Sequence, residues 1–188
     1  MFNNKSFIEV YDNALSKKEC DILISQFEKS DSSEGKLIRD GQFIIDHSCK
    51  KSIELKDCKF SDRSIISNII KPSLLKCIDS YKDKYECLSH IDEWRYVDNY
   101  AFKKFQFDDD GYKVWHTESG GSEVTSKRIL VWTYYLNDAG SGTEFMNFPK
   151  MKSKRGRCVI WPASPTHVHR SEKNKGLKYI VSGWISYL

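Results

Sequence analysis

The spacing of apolar residues changes near residue 94 of this 188-residue chain. Before that point, apolar side chains recur at intervals of three and four, which is the period of an amphipathic helix. Ser16 precedes the first such stretch and Glu19 follows three residues later. This capping-box spacing predicts a helix that begins after Ser16. The predicted apolar face of the helix comprises Cys20, Leu23, Ile24 and Phe27.

A second helical pattern opens at Ser61 and continues through Ile65, Ile66, Ile69 and Ile70. Pro72 lacks an amide hydrogen, so it predicts the start or a kink of a further helical segment from Leu74 to Tyr85. The segment from Phe7 to Tyr11 predicts a short strand, and residues 30–41 are polar and predict a loop. We therefore expect the first half of the chain to form helices around one or two strands.

From Trp94 onwards the pattern is that of short β-strands, rich in aromatic and β-branched residues and separated by turns. Residues 128–136 are almost entirely apolar, as expected for a central strand that is buried on both faces. Strands at intervals of about ten residues favour a sandwich or a jelly roll. The predicted strands are 100–107, 112–118, 128–136, 143–145, 158–161 and 177–185.

Charge and cysteine content exclude several classes of protein. The net charge of +4 is spread along the chain, which indicates a solvated surface and gives no specific nucleic-acid signal. No apolar run is long enough to cross a membrane, and Met1 to Lys5 lack the apolar region of a signal peptide. The six cysteines contain no CxxC pair. We therefore expect free thiols and a cytoplasmic location.

Candidate metal ligands are concentrated in the second half of the chain. His116 and Glu118 are two positions apart, so in a strand both side chains point to the same face. A second segment supplies His167 and His169, either of which can complete the set. Two imidazoles and one carboxylate suit a mononuclear Fe(II) site with open positions. This set predicts an oxygen-activating enzyme rather than a binding module.

In these residues the chain resembles the 2-oxoglutarate and Fe(II)-dependent dioxygenases, in particular the prolyl 4-hydroxylase-like branch. The resemblance covers about Tyr100 to Tyr187, and the order and spacing of its motifs carry it. It implies a mainly β protein with flanking helices (α+β), built on a double-stranded β-helix (jelly-roll) core. We expect one domain, with residues 1–93 as helical support with edge strands and 94–188 as the catalytic core. The matching segments are residues 111–118, 130–137, 142–145, 156–163 and 169–184.

The resemblance implies an HxD…H metal triad, which is HxE here because Glu118 stands where the family has Asp. The longer side chain still delivers a carboxylate oxygen, so we expect His116 and Glu118 to bind iron. In the family, a basic residue that holds the cosubstrate follows the distal histidine by nine or ten positions. Lys178 lies nine residues after His169 and eleven after His167, which favours His169 as the ligand. His167 is then expected near the metal or the substrate channel.

The resemblance also implies a pocket for 2-oxoglutarate. Its distal carboxylate needs a cation in a partly dry site, and Lys178 is the predicted partner. Tyr134 resembles the family tyrosine that donates to the same carboxylate. Ser182 and Gln106 are expected to add polar contacts, and Trp184 is expected to line the pocket wall near iron. The implied cofactors are Fe(II), 2-oxoglutarate and O2, with ascorbate as the reductant.

The predicted function is hydroxylation of a C–H bond, with a prolyl residue in a peptide or protein as the favoured substrate. Fold and triad set the chemistry and leave the acceptor open. A small molecule, such as a free amino acid or a nucleobase, is the alternative acceptor. A non-catalytic jelly-roll module for binding or assembly is the alternative from another class, and Glu118 in place of Asp is the feature that favours it.

Overall fold

The structure is a computed structural model that describes residues 5–39 and 42–188. It is mainly β with flanking helices, as the sequence predicts. The helices are α1 (Lys17–Lys29), α2 (Ile65–Lys84) and α3 (Glu123–Ser126), with 3-10 turns at Glu86–His90 and Pro165–His167. The strands are β1 (Glu9–Tyr11), β2 (Ser32–Glu34), β3 (Leu37–Arg39), β4 (Gln42–Ile44), β5 (Lys50–Lys51), β6 (Ile53–Leu55), β7 (Trp94–Tyr96), β8 (Ala101–Phe105), β9 (Gly111–Tyr112), β10 (Arg128–Tyr135), β11 (Thr143–Phe145), β12 (Arg157–Pro162), β13 (His169–Ser171) and β14 (Lys178–Tyr187).

An eight-stranded antiparallel sheet organises the molecule. Its order is β1-β12-β10-β14-β8-β6-β2, and β7 pairs with the far end of β14. Strand β10 lies at the centre, with Trp132 opposite Ile160 of β12 and Gly183 of β14. This position agrees with the apolar sequence of β10, because a central strand contacts protein on both faces.

One face of the sheet is covered by α1 and α2, and side chains at alternate positions of β10 point into this layer. Leu130, Trp132 and Tyr134 pack there with residues of both helices. The capping box predicted for α1 is present, because the Ser16 side chain accepts from the amide of Glu19 and the Glu19 carboxylate accepts from that of Ser16. Cys20, Leu23 and Phe27 are buried as predicted.

The other face of the sheet is closed by the two-stranded sheets β11–β13 and β5–β9. Val131 and Tyr135 of β10 point to this side and pack in a second apolar cluster with Phe145 and Trp161. A large antiparallel sheet faced by short strands is the arrangement expected for the jelly-roll core. The space between the two layers is where the predicted site residues lie.

Three local predictions differ from the structure. Pro72 lies inside one continuous helix, α2. It removes one helical hydrogen bond and crowds the carbonyl four residues earlier, and the burial of Ile70, Leu74 and Ile78 offsets this cost. The predicted loop at residues 30–41 contains β2 and β3, and its last two residues lie outside the described part of the chain. Residues 112–118 form no continuous strand, since β9 ends at Tyr112.

The first half of the chain contributes β1, β2 and β6 to the main sheet, so both halves build the same sheet. The division of the domain at residue 93 stays a prediction. Within the described residues, no helix combines the length and the apolar character needed to cross a bilayer.

Candidate metal centre and cosubstrate pocket

Three side chains from two separate segments converge in the cavity beneath the main sheet. The ligand atoms of His116, Glu118 and His169 all lie within 4.8 Å of one another. Glu118 Oε1 is 3.7 Å from Nε2 of His116 and 3.7 Å from Nε2 of His169. Atoms at this separation can both lie about 2.0–2.2 Å from one divalent ion, the usual range for such ligands. The donor set therefore fits a metal ion.

Backbone pairing brings the two histidines together. The amide of each donates to the carbonyl of the other, at 3.0 Å in both directions. Each ring also donates its Nδ1 hydrogen to a backbone carbonyl, His116 to Val114 at 3.0 Å and His169 to His167 at 2.9 Å. These bonds select the tautomer whose free Nε2 lone pair faces the site. The rings are therefore oriented before any ion binds.

The two carboxylate oxygens of Glu118 have different neighbours. Oε1 faces the histidines, whereas Oε2 accepts from Trp184 Nε1 at 2.9 Å and from Arg128 at 3.2 Å. The Arg128 guanidinium also stacks on the Trp184 ring, 3.8 Å from its centroid. Burial raises the pKa of Glu118, but the two imidazoles outweigh it and hold the pKa well below its ordinary value. The longer side chain therefore reaches the site as a fixed, ionised carboxylate.

Lys178 lies at the far end of the same face of β14 that carries Ser182 and Trp184. Its side chain is 2% exposed, and its ammonium contacts Ser141 Oγ at 3.2 Å and the Phe105 ring at 4.9 Å from the centroid. No carboxylate of the described residues lies within 4.0 Å of this ammonium. Burial lowers the pKa of Lys178 from 10.5 to about 8. A buried cation without an anion suits the distal carboxylate of 2-oxoglutarate.

The remaining space in the cavity is small in this conformation. Its volume is about 60 Å³, which is room for about two water molecules. Ser182 lies on the wall as predicted. The lining residues that the sequence did not single out include Lys50, Lys103, Tyr112, Thr133 and Thr143.

The structure does not bring Tyr134 to this cavity. Its hydroxyl lies on the helical side of the sheet, 2.9 Å from Ser73 Oγ. Alternation along β10 explains the difference, because Thr133 and Tyr135 occupy the cavity side and Tyr134 the opposite one. The Tyr135 hydroxyl bonds to Thr143 at 2.6 Å. Alternation along β10 predicts that Tyr134 and Tyr135 lie on opposite sides of the sheet. The register of β10 against β14 decides which of them lies on the cavity side.

His167 is also directed away from the metal ligands. Its Nε2 donates to the Ser6 carbonyl at 2.7 Å, its Nδ1 accepts from the Thr166 hydroxyl at 2.8 Å, and its ring stacks on Phe148. His167 was expected near the metal or the substrate channel, but residues 165–167 form a 3-10 turn, which directs its ring elsewhere. His167 thus anchors the N-terminal segment, and burial lowers its pKa.

Gln106 lies outside the cavity wall and is exposed. Strand β8 ends at Phe105, so the alternation that would direct position 106 stops there. The following turn is organised by Asp110, whose carboxylate accepts from the amides of Gln106 and Phe107. Arg128 is the contact that the sequence reasoning missed. The only indication of this contact in the sequence is a charged residue, Arg128, at the start of the most apolar strand, β10.

Removing the Trp184 donor is expected to weaken metal binding without emptying the site. In Trp184→Phe the ring remains but Glu118 Oε2 loses its shortest hydrogen bond, so metal affinity should fall roughly 10- to 100-fold. Anaerobic titration with Fe(II) measures this. Trp161→Phe is the matched control, because Trp161 also lines the cavity and its indole N–H has no partner among the described residues. Equal losses in both variants would contradict the assigned role.

Comparison with known proteins agrees with this geometry. The model of the 2OG-Fe(II) oxygenase superfamily matches residues 78–186, more than half of the chain. None of the curated protein sequences compared with the chain matches it significantly.

Solved structures with a similar fold cover nearly the whole chain. A viral collagen prolyl hydroxylase from Paramecium Bursaria Chlorella virus-1, in complex with 2OG, has 17% identity and a TM-score of 0.65, with 100% of both chains covered. A Trichoplax adhaerens prolyl hydroxylase bound to a hypoxia inducible factor peptide has 16% identity and a TM-score of 0.72, covering 97% of this chain and 84% of that one. A Pseudomonas putida prolyl-4-hydroxylase has 9% identity and a TM-score of 0.70, covering 98% and 94%. At these identities the likeness establishes the fold.

Proposed function

This chain belongs to the 2OG-Fe(II) oxygenase superfamily, and from that membership we propose that it hydroxylates a prolyl residue in a peptide or protein. The observation that carries the proposal is the convergence of His116, Glu118 and His169 in one cavity, with Lys178 buried behind Phe105 of the cavity wall. The prolyl acceptor is supported by the fold, which is shared over nearly the full length with prolyl hydroxylases. One of them was solved with a peptide bound.

The chain supplies the positions of the reactants. His116, Glu118 and His169 would hold iron, and Lys178 would pair with the distal carboxylate of 2-oxoglutarate. When bound, iron and 2-oxoglutarate would let O2 act as the oxidant: one oxygen atom enters succinate as 2-oxoglutarate loses CO2, and the other converts a substrate C–H bond to C–OH. Trp184 and Arg128 keep Glu118 fixed during this reaction, and the apolar wall around Phe105 and Trp161 excludes water.

A peptide library incubated with Fe(II), 2-oxoglutarate and ascorbate tests the proposal. We expect proline-containing peptides to gain one oxygen and succinate to form in equal amount, as read by mass spectrometry. Peptides with proline replaced by alanine are the control, and His116→Ala should remove both products. Succinate formation with no oxidised peptide, but with an oxidised free amino acid or nucleobase, would replace the prolyl acceptor with the small-molecule alternative. No succinate under any condition would favour the non-catalytic module.

The proposal includes a reducing, cytoplasmic location. It is supported by the six cysteines, all of which are free thiols in the structure. Fluorescence microscopy of the tagged protein tests it, and a signal confined to an oxidising compartment would contradict it.

A further inference from the structure

A cluster of charged side chains lies on the cavity wall beside the metal ligands. Lys103 of β8 and Lys50 of β5 both line the cavity. Lys103 stands opposite Glu54 of β6 on one side and opposite Ile180 of β14 on the other. Lys50 Nζ is 2.7 Å from Glu54 Oε1 and 3.0 Å from the Lys36 carbonyl. The cluster therefore contains two ammonium groups and one carboxylate.

Most cations around the cavity have an acidic partner. Arg128 pairs with Glu118 at 3.2 Å, Lys50 with Glu54 at 2.7 Å, and Arg170 with Glu144 at 2.8 Å. Within residues 5–39 and 42–188, two lysines at the cavity have no carboxylate within 4.0 Å. They are Lys178, at the end of β14, and Lys103, on the wall.

Lys103 lies close enough to Glu54 and Lys50 for its charge to shift the pKa of both. Burial raises the pKa of Glu54, but the charges of Lys103 and Lys50 outweigh it, so the pKa is lowered. Burial lowers the pKa of Lys50, and the charge of Lys103 lowers it further. The single carboxylate of Glu54 therefore lies near two ammonium groups, those of Lys50 and Lys103, and its charge can neutralise only one of them. One positive charge on this wall is left for a ligand.

We propose that Lys103 binds a carboxylate of the acceptor substrate, close to the carbon that is hydroxylated. The inference rests on the proposed function and narrows its substrate class to acidic acceptors. Two groups of the acceptor can supply this carboxylate. One is an Asp or Glu side chain next to the target proline, and the other is the free α-carboxylate of a C-terminal proline. A half-buried ammonium beside a low-dielectric cavity favours either over a neutral acceptor.

2-Oxoglutarate itself does not account for the charge of Lys103. Its two carboxylates are matched by the metal centre and by Lys178, which is far more buried than Lys103. Lys103 lies opposite Ile180, between Lys178 and Ser182 along the cavity face of β14. Lys103 lines the cavity and is more exposed than Lys178, so its side chain lies nearer to the solvent.

Lys103→Met tests the inference by separating two Michaelis constants. With a prolyl peptide that carries glutamate beside the proline, we expect KM for the peptide to rise about tenfold and KM for 2-oxoglutarate to stay unchanged. Uncoupled succinate formation should persist, which shows that the variant is folded. Lys104→Met is the matched control. Lys104 is the next residue of β8, lies on the opposite face and pairs with Glu28 at 2.8 Å. A rise in KM for 2-oxoglutarate instead would assign Lys103 to the cosubstrate and overturn the inference.

Peptide pairs distinguish the two carboxylate sources. One pair carries glutamate or glutamine beside the proline and tests the side-chain carboxylate. The other pair ends in a free or an amidated proline and tests the α-carboxylate. Wild type should prefer the charged member of at least one pair about tenfold, and Lys103→Met should lose that preference. In Lys103→Glu the preference should pass to peptides with lysine beside the proline. Equal use of charged and neutral peptides by wild type would overturn the inference and leave the proposed function intact.

A binding measurement covers the case in which no prolyl peptide is hydroxylated, which would overturn the proposed function. Tryptophan fluorescence of the Mn(II)-loaded protein with 2-oxoglutarate is then followed during titration with proline or prolinamide. Tighter binding of proline by wild type than by Lys103→Met supports a carboxylate site. Equal affinities, or no binding of either ligand, overturn it.

Discussion

Replacing His169 with alanine is expected to abolish Fe(II) binding and all turnover of 2-oxoglutarate, whereas replacing His167 is expected to spare both. His169 contributes one of three ligand atoms, so its loss should lower metal affinity by more than the roughly 100-fold typical of an outer hydrogen bond. Anaerobic Fe(II) titration and succinate formation measure the two effects. His116→Ala should behave like His169→Ala.

His167→Ala is the matched control, because His167 lies two residues away and faces the opposite direction. It loses the hydrogen bonds to Ser6 and Thr166, so we expect a loss of about 1–3 kcal/mol in the free energy of unfolding, with metal binding retained. Denaturant titration measures that loss. Loss of iron in His167→Ala but not in His169→Ala would refute the ligand assignment.

Lys178→Met is expected to raise the Michaelis constant for 2-oxoglutarate roughly 100-fold while making the cosubstrate-free protein more stable. The affinity loss follows because the buried ammonium has no other anionic partner among the described residues. The gain in stability follows because the fold lowers the pKa of Lys178 from 10.5 to about 8, a burial cost of about 3 kcal/mol at neutral pH. Methionine of similar length carries no such cost.

The pH dependence gives a second check on Lys178. Below pH 8 the lysine is protonated in both folded and unfolded chains, so the full burial cost applies. Between about pH 8 and 10.5 the unfolded chain holds a proton that the folded chain does not, so stability rises with pH. Among the described residues, the charge of Glu172 opposes the shift. Affinity for 2-oxoglutarate should fall over the same range, because the carboxylate needs the ammonium form.

Steady-state kinetics and denaturant titration from pH 7 to 10 measure these effects. Lys175→Met is the control, because this lysine is exposed and close in sequence. Iron affinity should be unchanged in Lys178→Met. An equal loss of iron and 2-oxoglutarate binding, or a destabilised variant with normal cosubstrate kinetics, would contradict the role given to Lys178.

Much of the site could be predicted because local rules govern it. His116 and Glu118 were expected to face the same way, and Lys178, Ser182 and Trp184 were expected at one pocket. The structure places Lys178, Ser182 and Trp184 on one face of β14, because the strand is long and continuous. His116 and Glu118 meet for a different reason: β9 ends at Tyr112, and His116 is held by its backbone pairing with His169.

Tyr134, His167 and Gln106 lie outside the predicted site, because alternation along a strand does not determine their positions. Tyr134 and Tyr135 are neighbours in β10, so one faces the helices and the other the cavity, and only the pairing with β12 and β14 decides which. His167 and Gln106 lie just beyond strand ends, where alternation no longer applies. Arg128 contacts Glu118 across nine intervening residues that include α3, and no periodic pattern in the sequence predicts this contact.

The amino-acid sequence by itself determined the capping and buried face of α1, the β-rich second half, the ligand types of the metal centre and the lysine that follows the distal histidine. These features depend on residue type and on short spacings, because local backbone geometry determines in which direction side chains at those spacings point. Tertiary structure alone decided which histidine joins His116 and Glu118, which tyrosine lies on the cavity side of β10, and that Lys103 has no carboxylate within 4.0 Å among the described residues. Those outcomes depend on strand register and on contacts between distant segments, because a shift of one residue in a strand reverses every side chain on it.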